Sequence, residues 1–137
     1  MPHLLDTDVI IYHLNDVGAA TQLLRQLVRS RRPAISAITY MEVLEGIPLS
    51  PDPERAESRF NALAFRVPLL SVDRPVAERC AWIRQELRGQ GRSLRPRVFD
   101  LLIAATALEH DLMLVTNNPH DYRDIPGLSV MPAQLTP

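Results

Sequence analysis

The sequence contains no lysine, one cysteine, few aromatic residues and no long hydrophobic run. All 15 basic side chains are arginine, which excludes chemistry that needs a side-chain amine, such as a Schiff base or a P-loop lysine. The single cysteine, Cys80, excludes an internal disulfide framework. No apolar run approaches the roughly 18 residues that span a bilayer, and no basic segment precedes an apolar stretch at the N-terminus. We therefore expect a cytoplasmic protein that has no membrane partner.

Chain length and hydrophobic periodicity predict one α/β domain. The 137 residues are 46% hydrophobic and only 5% aromatic, so Leu, Ile, Val and Ala must fill the core of a single domain over residues 1–137. Short apolar strands alternate with amphipathic helices, a pattern typical of a parallel sheet covered on both faces. Pro68 places the third strand at a sheet edge. The predicted strands are residues 3–5, 34–36, 67–72, 112–115 and 128–130, and the predicted helices are 9–14, 18–31, 38–44, 53–64, 74–87 and 97–110.

Four acidic residues lie beside predicted strand ends or on the helices that flank them. Asp6 follows the first strand, Glu42 lies in ITYMEVLEG, Asp100 begins an uncharged helical run, and Asp121 follows the fourth strand across a turn. In parallel sheets, ligands bind beyond the carboxyl ends of the strands. Four converging carboxylates cannot all stay ionised without a cation, which indicates a hard divalent metal. Oxygen ligands beside an open groove suggest phosphate-ester chemistry.

Each acidic residue also has an ordinary explanation. Asp6 could cap the following helix, Glu42 could face solvent, Asp100 could complement the helix dipole, and Asp121 could belong to an Asx-type turn. Their shared position relative to the strands favours the metal site. Four other aspartates were assigned no part in it: Asp8, Asp16, Asp73 and Asp111.

Four segments resemble PIN-domain ribonucleases, in particular the VapC-type toxins of toxin–antitoxin pairs. They are LLDTDVII, ISAITYMEVLEG, FDLLIAATALEHDLMLVTNNPHDY and IPGLSV, whereas residues 48–95 match only in helical character. The resemblance implies a PIN-like three-layer α/β/α fold with a central parallel sheet of about four to five strands, its acidic residues meeting at one edge. In HDY, Tyr122 replaces a more usual phenylalanine, a change from which no consequence is expected.

The resemblance also implies the activity, the cofactor and the roles of individual residues. Asp6 and Asp100 would be the most direct ligands of Mg²⁺, with Mn²⁺ as a substitute, and Glu42 and Asp121 would complete the shell directly or through water. The expected reaction is endonucleolytic hydrolysis of RNA that leaves a 5′-phosphate and a 3′-hydroxyl. Two polar residues match the family's TxN segment and would position water or Asp121, with turn formation as the alternative; they are Thr116 and Asn118.

Partners are predicted from an arginine-rich segment and from the resemblance. Residues 84–97 hold five arginines against one glutamate, and Arg92, Arg95 and Arg97 are candidates for binding RNA phosphates. A solvated linker is the alternative. The resemblance implies a homodimer inhibited by a small VapB-type antitoxin whose C-terminal segment lies across the groove.

Two other functions remain open at this point. LLDTDVI also resembles the opening of haloacid-dehalogenase-like phosphatases, in which the first Asp is a nucleophile, but no Lys and no closing acidic pair follow it. A non-catalytic, metal-stabilised RNA-binding scaffold on the same fold is the second alternative. A phosphoenzyme on Asp6 would support the former, and RNA binding without cleavage would support the latter.

Overall fold

A computed structural model describes residues 2–30, 32–92 and 97–136 of the chain. Its strands are β1 (His3–Leu5), β2 (Pro33–Ser36), β3 (Leu69–Leu70), β4 (Met113–Thr116) and β5 (Val130–Pro132). Its α-helices are α1 (Thr7–Leu14), α2 (Gly18–Ser30), α3 (Ala37–Gly46), α4 (Pro53–Arg66), α5 (Arg74–Gly89) and α6 (Val98–Glu109). Two 3₁₀ turns lie at Ile47–Leu49 and Pro119–Tyr122.

All strand pairings in the sheet are parallel, and the strand order is β3-β2-β1-β4-β5. The first strand, β1, lies at the centre and pairs with β2 on one side and β4 on the other. Chain order therefore reverses direction across the sheet at β1. In open α/β sheets such a switch point opens a crevice beyond the carboxyl ends of the strands, and here that crevice follows Leu5 and Thr116.

Alternating side chains of the central strands divide the core into two layers. Leu5 packs with α1, α2 and α4 on one face of the sheet. Leu4 packs with α5 and α6 on the other face. Both residues are fully buried, as the period of two along a strand requires when helices cover both faces. The predicted three-layer α/β/α arrangement is confirmed.

Several predicted boundaries differ from the observed ones. β3 has two residues where six were predicted, since Pro68 cannot donate to the ladder and only its carbonyl accepts a hydrogen bond, from Ile35 N. The edge position predicted for this strand is confirmed. α1 begins at Thr7 rather than at residue 9, and β5 lies two residues later than predicted. Asp73 caps α5 through a bond from Val76 N, as its position before Pro75 predicted.

No helix in the described ranges has the length and apolar character needed to cross a membrane.

Candidate active site

Asp6 is a buried carboxylate at the point where β1 ends and α1 begins. Its backbone N–H continues the β1–β4 ladder by donating to the carbonyl of Val115. Its side chain caps α1 because Oδ1 accepts from Thr7 N at 2.9 Å. Oδ2 accepts from Thr116 Oγ1 at 2.8 Å and from the Tyr122 hydroxyl at 3.1 Å. The capping alternative is therefore correct for this residue, and Asp6 lies beyond the carboxyl end of β1, as its sequence position predicted.

Asp100 approaches Asp6 from α6, in the first turn of that helix. The Tyr122 hydroxyl joins the two carboxylates, because it also lies 3.3 Å from Asp100 Oδ1. Tyr122 is 2% exposed and ends the 3₁₀ turn Pro119–Tyr122. The sequence interpretation missed this contact because a Tyr-for-Phe exchange shows an added hydroxyl but not what the hydroxyl reaches.

Glu42 joins the site through Thr7, the first residue of α1. Thr7 Oγ1 donates to Glu42 Oε1 at 2.6 Å and lies 3.2 Å from Thr39 Oγ1. Thr39 is buried one turn before Glu42 on α3. Since Thr7 N also binds Asp6, one threonine links the carboxylates of Asp6 and Glu42.

Asp121 is exposed at the rim of an open cleft of about 350 Å³. The cleft is lined by Asp100 and Asp121 together with Arg92, Arg97, His120, Arg123 and Asp124. The 3₁₀ turn presents Asp121 to solvent while it directs the next side chain, Tyr122, into the core. Asp121 therefore lies outside the hydrogen-bonded group formed by the other three predicted acidic residues.

Burial makes it costly to keep the carboxylates of the site ionised. Desolvation, followed by repulsion from Asp8, raises the pKa of Asp6 to about 7 despite the hydrogen bonds that it accepts. Desolvation also raises the pKa of Asp100, and nearby Asp121 adds to the shift. The same two causes, burial and adjacent carboxylates, raise the pKa of Tyr122, so its hydroxyl stays protonated and remains a donor. A cation at this position would remove the cost of keeping these carboxylates ionised.

The donor set fits a hard ion that keeps most of its water. In the described part of the chain, no three His, Cys, Asp or Glu side chains are close enough to hold a metal together. Mg²⁺ does not require such a set, because it is commonly held by one or two carboxylates with several waters and substrate phosphates. Asp6 and Asp100, joined by one hydroxyl, are the pair that can supply those carboxylates.

The turn after β4 is held by Asp8, which the sequence interpretation had set aside. Asp8 Oδ2 accepts from Asn117 N at 3.0 Å and from Asn118 Nδ2 at 2.8 Å. Its other oxygen, Oδ1, is buried with no hydrogen-bond partner among the described residues, and burial raises the pKa of this carboxyl. The available sequence signal for Asp8 was its place in the DTD motif, two residues after Asp6 and about half a helical turn along α1.

Thr116 donates to Asp6 and accepts from Asn118 N at 3.0 Å. Thr116 thus orients Asp6. The side chain of Asn118 donates to Asp8, while its carbonyl accepts from Asp121 N at 3.1 Å, so Asn118 also contacts the turn that carries Asp121.

The three candidate RNA-binding arginines have different outcomes. Arg92 is exposed and lines the cleft beside Asp100 and Asp121, as a phosphate ligand should. Arg95 lies outside the described residues. Arg97 is committed elsewhere, because its guanidinium binds both oxygens of Asp124 at 2.8 and 2.9 Å and donates to the carbonyl of Asp121 at 3.0 Å. These bonds give Arg97 a structural role, and its contact with RNA stays a prediction.

Comparisons with known proteins agree with this architecture. The PIN domain family model matches residues 3–128. The tRNA(fMet)-specific endonuclease VapC of Shigella flexneri is 32% identical over 125 residues, which cover 91% of this chain and 92% of that protein. The crystal structure of VapBC2 from Rickettsia felis, bound to a promoter DNA fragment, matches with a TM-score of 0.83 and 26% identity over 96% of this chain and 98% of that one. The crystal structure of DNA-bound VapBC from Salmonella typhimurium matches with a TM-score of 0.82 and 29% identity, over 97% of this chain and 98% of that one.

The chain belongs to the PIN domain family, and its resemblance to the VapC-type members is confirmed along nearly its full length.

Proposed function

We propose that this chain is a metal-dependent endoribonuclease and acts as the toxin of a toxin–antitoxin pair. One observation carries the proposal: two carboxylates from separate elements, Asp6 and Asp100, meet at one buried hydroxyl beside an open cleft. Desolvation, with repulsion from neighbouring carboxylates, raises the pKa of both carboxyls, and a bound cation would offset this cost of ionisation. The family assignment removes the support for a phosphatase that uses Asp6 as a nucleophile.

Asp6 and Asp100 are the residues that would hold Mg²⁺ or Mn²⁺ directly, with Glu42 and Asp121 acting through water. The ion would neutralise charge on the scissile phosphate and lower the pKa of a water molecule for attack at phosphorus. Thr7 fixes Glu42 at the site edge, where its carboxylate can accept a proton from water. Asp121, exposed at the rim, lies where an incoming phosphodiester or its bound water would pass.

RNA is the substrate that the cleft and the relatives together support. The Shigella flexneri relative is named as an endonuclease specific for tRNA(fMet), and the Rickettsia felis relative as a ribonuclease. Arg92 supplies an exposed guanidinium at the mouth of the cleft, where it can bind a phosphate next to the scissile one. Arg95 remains a candidate for the same track. Initiator tRNA is therefore the first defined substrate to test.

A VapB-type antitoxin is the protein partner that we propose. Solved relatives from Rickettsia felis, Salmonella typhimurium and Haemophilus influenzae are VapBC complexes. An antitoxin segment placed across the cleft would block RNA from reaching Asp100 and Asp121. We also propose a homodimer, which sedimentation of the purified chain tests directly; a strictly monomeric species at high concentration would contradict it.

The activity test compares two Asp→Asn variants with wild type on total RNA and on initiator tRNA. Reactions contain Mg²⁺, Mn²⁺ or EDTA. Asp100→Asn removes one ligand charge while it keeps an acceptor for Tyr122. Asp111→Asn is the matched control, because Asp111 is exposed in the left-handed region at φ 54°, which Asn tolerates.

We expect metal-dependent cleavage by wild type and by Asp111→Asn, and a loss of at least about 100-fold in Asp100→Asn, since a direct ligand is weakened. Fragments should carry a 5′-phosphate and a 3′-hydroxyl. Equal activity in wild type and Asp100→Asn would refute the site assignment. RNA binding without cleavage under every metal condition would favour the scaffold alternative.

A further inference from the structure

The hydroxyl of Tyr122 is placed to control the geometry of the two principal carboxylates. Its oxygen lies 3.1 Å from Asp6 Oδ2 and 3.3 Å from Asp100 Oδ1. Asp6 follows the central strand β1, whereas Asp100 is on α6, so the two side chains come from separate elements. Tyr122 is buried and approaches both from the protein side.

The contact matters differently to each carboxylate. A phenolic hydroxyl has one proton and donates to one acceptor at a time. Asp6 has two further donors, Thr7 N and Thr116 Oγ1. Within the described ranges, Tyr122 is the one hydrogen-bond donor to the side chain of Asp100. Without it, Asp100 would rotate about its side-chain bonds at the edge of the cleft.

Tyr122 is itself firmly placed. It ends the 3₁₀ turn Pro119–Tyr122, and its carbonyl accepts from Ile125 N at 3.2 Å. Arg97 holds the residues on both sides through the carbonyl of Asp121 and the carboxylate of Asp124. The hydroxyl of Tyr122 is therefore held in a fixed position beside the two carboxylates.

We propose that Tyr122 is a positioning residue of the metal centre: its hydroxyl orients Asp100 beside Asp6, which Thr7 and Thr116 already hold, so that a divalent cation binds both carboxylates without first ordering them. The inference rests on the proposed function and deepens it. Groups that orient metal ligands through hydrogen bonds commonly affect metal affinity about 10- to 100-fold. Phenylalanine at this position would keep the buried ring but lose the hydroxyl that contacts Asp6 and Asp100.

The test measures Mn²⁺ binding to the full chain by isothermal titration calorimetry, without RNA, for wild type and Tyr122→Phe. We expect the dissociation constant to rise about 10-fold in the variant. Tyr40→Phe is the matched control: Tyr40 is on α3, its ring packs on Phe60 with the ring centroids 5.3 Å apart, and, among the described residues, its hydroxyl forms no hydrogen bond with the acidic residues named above. It should bind Mn²⁺ like wild type. Melting in EDTA verifies that both variants are folded.

Cleavage kinetics supply a readout that a general loss of stability would not move. At saturating Mn²⁺, Tyr122→Phe should lower kcat while KM for RNA stays unchanged, because RNA contacts are untouched. Unaltered Mn²⁺ affinity in a folded Tyr122→Phe chain would overturn the proposal, as would a wild-type chain that binds no Mn²⁺. Weaker Mn²⁺ binding by the variant would support it even if wild type cleaved no RNA, in which case the ribonuclease assignment alone would fail.

Discussion

Arg97 provides the sharpest test of how the cleft is built. Its guanidinium forms a bidentate ion pair with Asp124 and a third hydrogen bond to the carbonyl of Asp121. This residue lies just before α6, which carries Asp100, while its partners lie on the segment that carries Tyr122. Arg97 therefore connects the two parts of the chain that supply the carboxylate and the hydroxyl. Arg97→Met removes these bonds and retains most of the apolar stem.

The expected loss of stability follows from the burial of the pair. The side chains of Arg97 and Asp124 are 20% and 12% exposed, so the pair lies between a surface bridge and a buried one. Surface pairs contribute about 0–1 kcal/mol, whereas removing one partner of a buried pair costs about 3–5 kcal/mol. We expect Arg97→Met to lower the free energy of unfolding by about 2–3 kcal/mol. For a domain of this size, that corresponds to a Tm about 6–12 °C lower.

Thermal and urea unfolding in EDTA measure this loss, and Arg55→Met is the control. Arg55 pairs with Asp16 at 3.1 Å, but both side chains are more than half exposed, so water screens the contact and Tm should hardly change. In cleavage assays, Arg97→Met should lower kcat with little change in KM or in salt dependence. A wild-type Tm, or a raised KM with a flattened salt dependence, would refute the structural role and restore Arg97 as an RNA ligand.

Two further predictions concern regions away from the carboxylates. Burial, with repulsion from Arg59 and Arg25, lowers the pKa of His13 from 6.5 to about 4, so the folded chain binds fewer protons than the unfolded chain between these values. Stability should therefore rise with pH across this window and reach its full value above pH 6.5. The expected gain is about 1 kcal/mol, after allowance for solvent screening of the half-buried ring. His13→Gln should flatten this part of the pH dependence, and an unchanged slope would contradict the assignment. The side chain of Asn117 forms a clasp of two hydrogen bonds with the backbone of Leu135: it accepts from the N–H at 2.7 Å and donates to the carbonyl at 3.1 Å. Asn117→Ala should lower stability by about 1–2 kcal/mol and speed hydrogen exchange at the Leu135 amide, whereas unchanged exchange would show that the clasp is not maintained in solution.

The sheet and its principal carboxylates could be predicted because local signals and a general topological rule agree on them. Apolar segments alternating with helices predicted a parallel sheet, and the rule for ligand sites in such sheets placed Asp6 at its carboxyl edge. Asp100 followed from its position at the start of an uncharged helix, which packs against the same sheet. The family motifs then supplied the individual roles, which the fold alone could not.

The rest depended on contacts between distant parts of the chain. Asp8 binds a turn 109 and 110 residues away, and Tyr122 reaches Asp6 across 116 residues. Neither contact has a periodic signal, because each involves one side chain that leaves a local structure for a remote one. The structural role of Arg97 was missed for the same reason: its charge and its position in an arginine-rich segment were visible, but its partner Asp124 was not.

The pairing of Arg97 also bears on the proposed cation. Arg97 lines the same cleft as Asp100, and a free guanidinium there could neutralise the carboxylates in place of a metal. Asp124 binds that guanidinium, and this contact is the largest cause of the raised pKa of Arg97. Attraction by Arg97 lowers the pKa of Asp100 by less than desolvation raises it. Within the described part of the chain, the groups that donate hydrogen bonds to the side chains of Asp6 and Asp100 are a backbone N–H and two hydroxyls, all of them neutral. They orient the carboxylates without cancelling their charge, so the charge remains available to an ion that enters from the cleft.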